Sequence, residues 1–170
     1  VLYDDVACWK VSQSFYDRMR AGGVEARSFL KVHFRRLTSK VNYRNHRKLV
    51  VVDGNVGFIG GMNIANRYIK GVSWGIWKDM LMKVDGKAVY GLQTAFLTDW
   101  YATDHSLITS PQYFPEIPSC GQSIAQIGTS DPLGKWRDIM QGILMAVVSS
   151  RRYLYIQTPY LLPNEPVLLA

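Results

Sequence analysis

Cysteine is scarce: Cys8 and Cys120 are the only two in 170 residues, and no CxxC spacing exists. That excludes a disulfide framework and a thiolate zinc site. Long hydrophobic runs are lacking as well. The longest, Leu49 to Val52 and Ile143 to Val148, fall far short of the roughly 18 residues that a membrane span needs. Histidine numbers three, without HxxxH or HExxH spacing, so no metal centre is expected. Two further absences concern charge. Between Glu25 and Asp53 there is no acidic residue, and from Ala88 to Gly134 there is neither Lys nor Arg. Low-complexity tracts and short-period repeats are missing too. With 48% apolar, 12% aromatic and 19% charged residues, the composition excludes disorder and allows a sizeable core.

What is present is a net charge of +7 concentrated in the acid-free window. Arg27, Lys31, Arg35, Arg36, Lys40, Arg44, Arg47 and Lys48 stand there, interleaved with Phe29, Phe34 and Tyr43. A basic run is ordinarily a solvated face. This one leads directly into a chemical motif, which makes it a candidate surface for phosphates or for anionic headgroups, the latter at about 1 kcal/mol per basic residue.

Pattern reading gives alternating strands and helices, an α/β class. Val1 to Tyr3 reads as a strand, residues 12 to 21 as a helix capped by Ser12 and stopped by Gly22-Gly23, and Val24 to Leu30 as a strand. Lys48 to Val52 and Val56 to Ile59 flank Asp53-Gly54-Asn55, a hairpin signal because those residues tolerate positive φ. Trp77 to Val84 is a further strand. Val89, Leu92, Phe96 and Trp100 mark a helix over 87 to 101. Pro111, Pro115 and Pro118 make 106 to 121 an irregular connector. Beyond it the spacing predicts a strand (Ser123 to Ile127), a helix (Trp136 to Ser149), a strand (Tyr153 to Thr158) and a helix start at Asn164-Glu165-Pro166. Both ends read as lying inside elements, so we expect a fragment of a longer polypeptide that is itself soluble.

The chemistry-bearing segment is Asn45-His46-Arg47-Lys48-Leu49-Val50-Val51-Val52-Asp53, which contains HxKxxxxD. In an extended backbone, side chains 46 and 48 share a face. A neutral imidazole is a competent nucleophile toward phosphorus, and a lysine ammonium compensates the charge on the non-bridging oxygens. Asp53 is placed to anchor the turn or to neutralise cations. Gly60-Gly61-Met62-Asn63 follows, with Gly61 offering close backbone approach and Asn63 an amide donor to phosphate. The imidazole's second nitrogen needs an acceptor, for which Asp79 on the next strand is the candidate. Asp4 and Asp5 read as strand-end turn residues, and Trp74 and Trp77 as core or as lipid-facing aromatics.

With these residues the chain resembles the phospholipase D superfamily, whose hallmark is an HKD motif followed by GSxN or GGxN. From Asn42 to about Trp100, RNHRKLVVVDGNVGFIGGMN through WKDMLMKVDGKAVYGLQTAFLTDW, it is more narrowly similar to the bacterial cardiolipin synthase branch; YDDVACWK and YIQTPYLLPNEPVLLA at the ends fit too. The resemblance implies a mixed β-sheet flanked by helices and two lobes per active unit, each supplying one HKD motif. Residues 1–121 would be the first lobe, truncated, with its connector; residues 122–170 would open the second. It implies His46 as catalytic histidine, Lys48, Gly61 and Asn63 as phosphate ligands, Asp53 as motif acid and Asp79 as orienting acid. The implied reaction is phosphatidyl transfer between two phosphatidylglycerols through phosphohistidine, without cofactor or metal. The implied partners are anionic phospholipid, a bacterial membrane surface, and a second lobe or homodimer mate; nucleic acid is not expected. Since His33 opens HFR and His105 opens HSL, no second HxKxxxxD exists. Hydrolysis of a lipid or nucleic-acid phosphodiester, and a non-catalytic basic binding module, are the alternatives.

Overall fold

The computed structural model describes residues 1–31, 44–131, 134, 138–158 and 162–170. Two compact units are present, Val1–Ile127 and Gly128–Ala170.

The first unit opens with a strand–helix–strand crossover. Strand β1 (Leu2–Asp4) runs parallel to β2 (Arg27–Phe29), with Asp4 opposite Phe29. Helix α1 (Gln13–Ala21) joins them. Ser12 enters α1 with extended dihedrals, and Gly22 closes it by donating to the Arg18 and Met19 carbonyls. Buried Tyr16 stacks on Tyr3 at 4.2 Å, fixing the helix over the strand pair. The strand expected over Val24 to Leu30 is shorter than its pattern at both ends: its ladder with β1 begins only at Arg27, opposite Leu2, and Leu30 turns left-handed (φ 44°), which breaks the pleat.

Next come three antiparallel strands in the order β3 (Leu49–Val52), β4 (Val56–Gly60), β5 (Leu81–Asp85). Asp53 (φ 52°) and Gly54 (φ 70°) take the left-handed conformations that a tight hairpin needs, as the sequence predicts. A short helix α2 (Arg67–Lys70) lies in the β4–β5 connection. Trp77 to Met80, expected in a strand, are not in one: β4 ends at Gly60 opposite Leu81, and the ladder gives out after the single bond from Gly61 N to the Met80 carbonyl. Helix α3 (Val89–Asp104) packs against β2, β3 and β4. Its Val89 and Leu92 are fully buried. Leu92 presses on the hairpin where Gly57 leaves room, since a Cβ there would lie 2.5 Å from Leu92 Cδ1. The helix runs three residues past its expected end and stops where His105 turns left-handed. The connector is irregular apart from a 3-10 turn at Pro111–Tyr113. It is tied to α3 by Tyr90, whose hydroxyl donates to the Pro115 carbonyl and accepts from Ile117 N at 3.1 Å.

The α/β class is therefore seen, with the mixed strand directions divided between a parallel pair and an antiparallel trio. The expected strands at Ser123–Ile127 and Tyr153–Thr158 are corrected to irregular chain. Their pattern suits a strand, but no partner ladder among the described residues takes up their backbone groups, and Ile124 and Tyr155 are exposed. In the second unit, α4 spans Asp138–Ser149, and α5 (Glu165–Leu169) is capped by the Asn164 carboxamide, which accepts from Val167 N at 3.3 Å. The start of the expected 136–149 helix lies outside the described residues. No described helix is long and apolar enough to cross a membrane.

Candidate active site

Residues 44 to 48 are a short irregular run feeding β3. Its facing is set by side chains. Asn45 Nδ2 donates to Asp99 Oδ2 at 2.7 Å, and Arg47 Nη1 bridges Asp99 Oδ1 and Oδ2 at 2.5 and 2.6 Å. Asn45 Oδ1 accepts from Arg47 N at 2.9 Å. From the other side Asp4, at the end of β1, accepts from Asn45 N at 3.1 Å and from Arg44 Nε at 3.4 Å, while also holding Ala7 N at 2.6 Å. Asp4 is thus both the turn residue expected and an anchor of the motif, brought there by the parallel β1–β2 pair.

With 45 and 47 engaged on α3, His46 and Lys48 occupy the alternate positions. Lys48 Nζ donates to the His46 carbonyl at 2.8 Å. The imidazole edge is open to solvent, yet enough protein surrounds it that burial lowers its pKa; the Lys48 and Arg44 cations lower it further, and Asp4 opposes them. The neutral form therefore persists below the ordinary histidine pKa of about 6.5. The Lys48 ammonium is also lowered by burial, with Tyr68, Asp79 and Asp4 pulling it back up and Arg44 adding to the lowering. Asp4, His46, Lys48, Tyr68 and Asp79 consequently share one electrostatic neighbourhood.

The remaining expected residues divide. Asn63 is at this site, its Nδ2 donating to the Tyr68 hydroxyl at 2.9 Å. Arg67 donates to the same hydroxyl at 3.5 Å, and these bonds, Arg67's first, lower the phenol's pKa. Gly61 contributes room: its N–H is committed to the Met80 carbonyl at 3.0 Å, and a Cβ would collide with the Asp79 carboxylate. The Asp79 side chain therefore lies against the Gly61 backbone. That carboxylate accepts from Met80 N at 2.8 Å and its charge raises the pKa of Lys48, with no hydrogen bond to His46 among the described residues. It precedes β5 rather than lying on it. Asp53 sits in the hairpin turn, five residues along from Lys48, or about 17 Å of extended chain.

Tyr68, Asp99 and the anchoring role of Asp4 were not expected. One signal did exist for Asp99. If 46 and 48 face outward, Asn45 and Arg47 must face inward, and an inward arginine requires an acid.

Of the basic window, Val32 to Tyr43 lie outside the described residues, including Arg35, Arg36 and Lys40. Elsewhere in the window, Arg44 and Arg47 pair with Asp4 and Asp99, and Arg27 with Asp104 at 3.2 Å. The local excess of charge is partly cancelled by acids that the fold imports.

No family model matches the chain. No solved structure matches it either. Curated relatives do. The cardiolipin synthase of Geobacillus thermodenitrificans is 38% identical over 172 aligned positions, covering 99% of this chain and 34% of the relative. Cardiolipin synthase 2 of Bacillus cereus is 37% identical over the same shares, and the cardiolipin synthase of Listeria innocua is 34% identical over 100% of this chain and 36% of its own. The chain thus spans about a third of the length of the relatives it matches.

Proposed function

We propose, from the premise that this chain is homologous along its whole length to part of the bacterial cardiolipin synthases, that it carries one of two HKD half-sites of a phosphatidyltransferase joining two phosphatidylglycerols. Residues 1–121 are then the first lobe with its connector and 122–170 the opening of the second. The work takes place at a bacterial membrane surface, on anionic phospholipid.

The observation that carries this reading is the pairing of His46 with Lys48 on an open edge, the ammonium 2.8 Å from the histidine's own carbonyl. The neutral imidazole attacks the phosphorus of the first phosphatidylglycerol. The bond from phosphorus to the glycerol oxygen breaks, and the histidine of the second motif gives that oxygen its proton. The hydroxyl of the second phosphatidylglycerol then loses its proton to that histidine and attacks the phosphohistidine. The P–N bond breaks, cardiolipin leaves and His46 is restored. Lys48 compensates the non-bridging oxygens in both steps, with Asn63 and Tyr68 as neighbouring donors. Asp79 keeps its assignment as the orienting acid, which requires its carboxylate to turn from Met80 N toward His46. Asp53 fixes the far end of β3.

The test is incubation of labelled phosphatidylglycerol with the polypeptide carrying both motifs. Equal yields of cardiolipin and glycerol support transfer. Phosphatidic acid instead means hydrolysis, and no product means a binding module. Substitution of His46 by Ala should abolish turnover while leaving attachment to anionic vesicles intact.

A further inference from the structure

Asp99 lies on α3, 54 residues beyond Asn45. Its residue is only 8% exposed, and its two oxygens take three hydrogen bonds from the motif segment, one from Asn45 and two from Arg47. Neither donor is one of the fixed residues of HxKxxxxD. They occupy the positions that alternate with His46 and Lys48.

We infer that Asp99 is a positioning residue, which grips Asn45 and Arg47 from α3 and so dictates the face on which His46 and Lys48 emerge. The physical reason is that residues 44 to 48 belong to no strand, so no ladder fixes which way they face. The first cross-strand tie is the bond from Gly60 N to the Lys48 carbonyl at 3.1 Å. Upstream of it, a half-turn of the backbone would send His46 inward and Arg47 to solvent. The buried carboxylate opposes that turn, because it would lose its cation while remaining out of water. Asp4 holds the backbone of Asn45 and the half-exposed Arg44 side chain at 3.4 Å, a longer and wetter tie than the 2.5 to 2.7 Å bonds by which Asp99 holds Asn45 and Arg47.

The inference rests on the proposed function only for the meaning of His46 and Lys48 as the reacting pair, and its test reads position rather than turnover. The imidazole of His46 is titrated by NMR in the full chain and in Asp99→Asn. The charged groups acting on that ring are Lys48, Arg44 and Asp4. Asp99 is not among them, and loss of an anion cannot raise a histidine's midpoint, whereas freeing the segment from its burial and its cations does. An upward shift therefore reports position and not the lost charge. The expected result is an upward shift toward about 6.5 with the helical circular dichroism retained. A midpoint unchanged or lowered, with only the melting temperature falling, would overturn the inference. If Asp99→Asn does not fold, Arg47→Lys keeps the charge but loses the planar fork. It is expected to move the midpoint in the same direction, and an unmoved midpoint there overturns the inference equally. Absence of phosphatidyl transfer would sink the proposed function and leave this titration standing.

Discussion

Burial lowers the pKa of His46, and the charges of Lys48 and Arg44 lower it further. In the proposed reaction the Lys48 ammonium has a second task, facing the charge that accumulates on the transferring phosphoryl group. Replacing Lys48 by Met should therefore act twice on kcat/KM. The plateau falls on the order of 10²–10³-fold, as for other lost charge-stabilising groups, and the acid limb moves up toward pH 6.5. The sign follows from linkage. The folded pKa of His46 is depressed, so the reactive neutral form is lost only as pH falls through that lower value; without the cation it is lost sooner. A pH–rate profile of Lys48→Met whose acid limb stays in place would contradict this. Tyr68→Phe removes the hydroxyl that accepts from Asn63 and from Arg67, one net hydrogen bond of about 1 kcal/mol. A loss of roughly fivefold in kcat/KM is expected, measured under the same assay. His46 and Lys48 were proposed from their i, i+2 spacing and Asn63 from its place after the hairpin, all of which the sequence states locally. Tyr68 was not, since its approach depends on α2, whose four residues carry too little periodicity to announce themselves.

Among elements, the hairpin was the most readable because Asp53-Gly54-Asn55 states its backbone requirement locally. What the sequence withheld is why Gly54 and Gly61 must be glycine. A Cβ on Gly54 would lie 2.6 Å from Pro115 Cδ in a backbone already at φ 70°, and one on Gly61 would enter the Asp79 carboxylate. Both neighbours are remote in sequence. Gly54→Ala should destabilise the chain by about 1–3 kcal/mol, checked by chemical denaturation, and Gly61→Ala by less, because the exposed Asp79 side chain can swing aside. Gly61→Ala should in addition displace Asp79 and lower turnover more than its stability loss explains, which a thermal melt run beside the activity assay would reveal. The missing strands at 123–127 and 153–158 teach the complementary lesson. Alternation proposes a strand, but a ladder partner decides it, and periodicity does not name one.

Across the whole molecule, the acid-free window from 26 to 52 looked like an unneutralised cationic surface when read linearly. The fold answers three of its arginines with Asp4, Asp99 and Asp104, acids that lie before and after the window. Net charge survived as a global quantity; its distribution could not be read without the topology. The count of motifs survives too. With one HxKxxxxD in the sequence, a single copy of this chain should form no cardiolipin, and supplying a second motif, from the remainder of a longer polypeptide or from a second copy joined about a two-fold axis, should give activity. Activity that rises with the square of chain concentration would identify the second-copy route.

The most direct measurement is capture of the covalent intermediate. The polypeptide carrying both motifs is mixed with phosphatidylglycerol, quenched during turnover and mapped by mass spectrometry. A phosphatidyl adduct on the imidazole of His46, acid-labile and absent from His46→Ala, is the predicted result. Steady turnover with the adduct on a different residue, or with His46 replaced and the rate intact, would contradict the account.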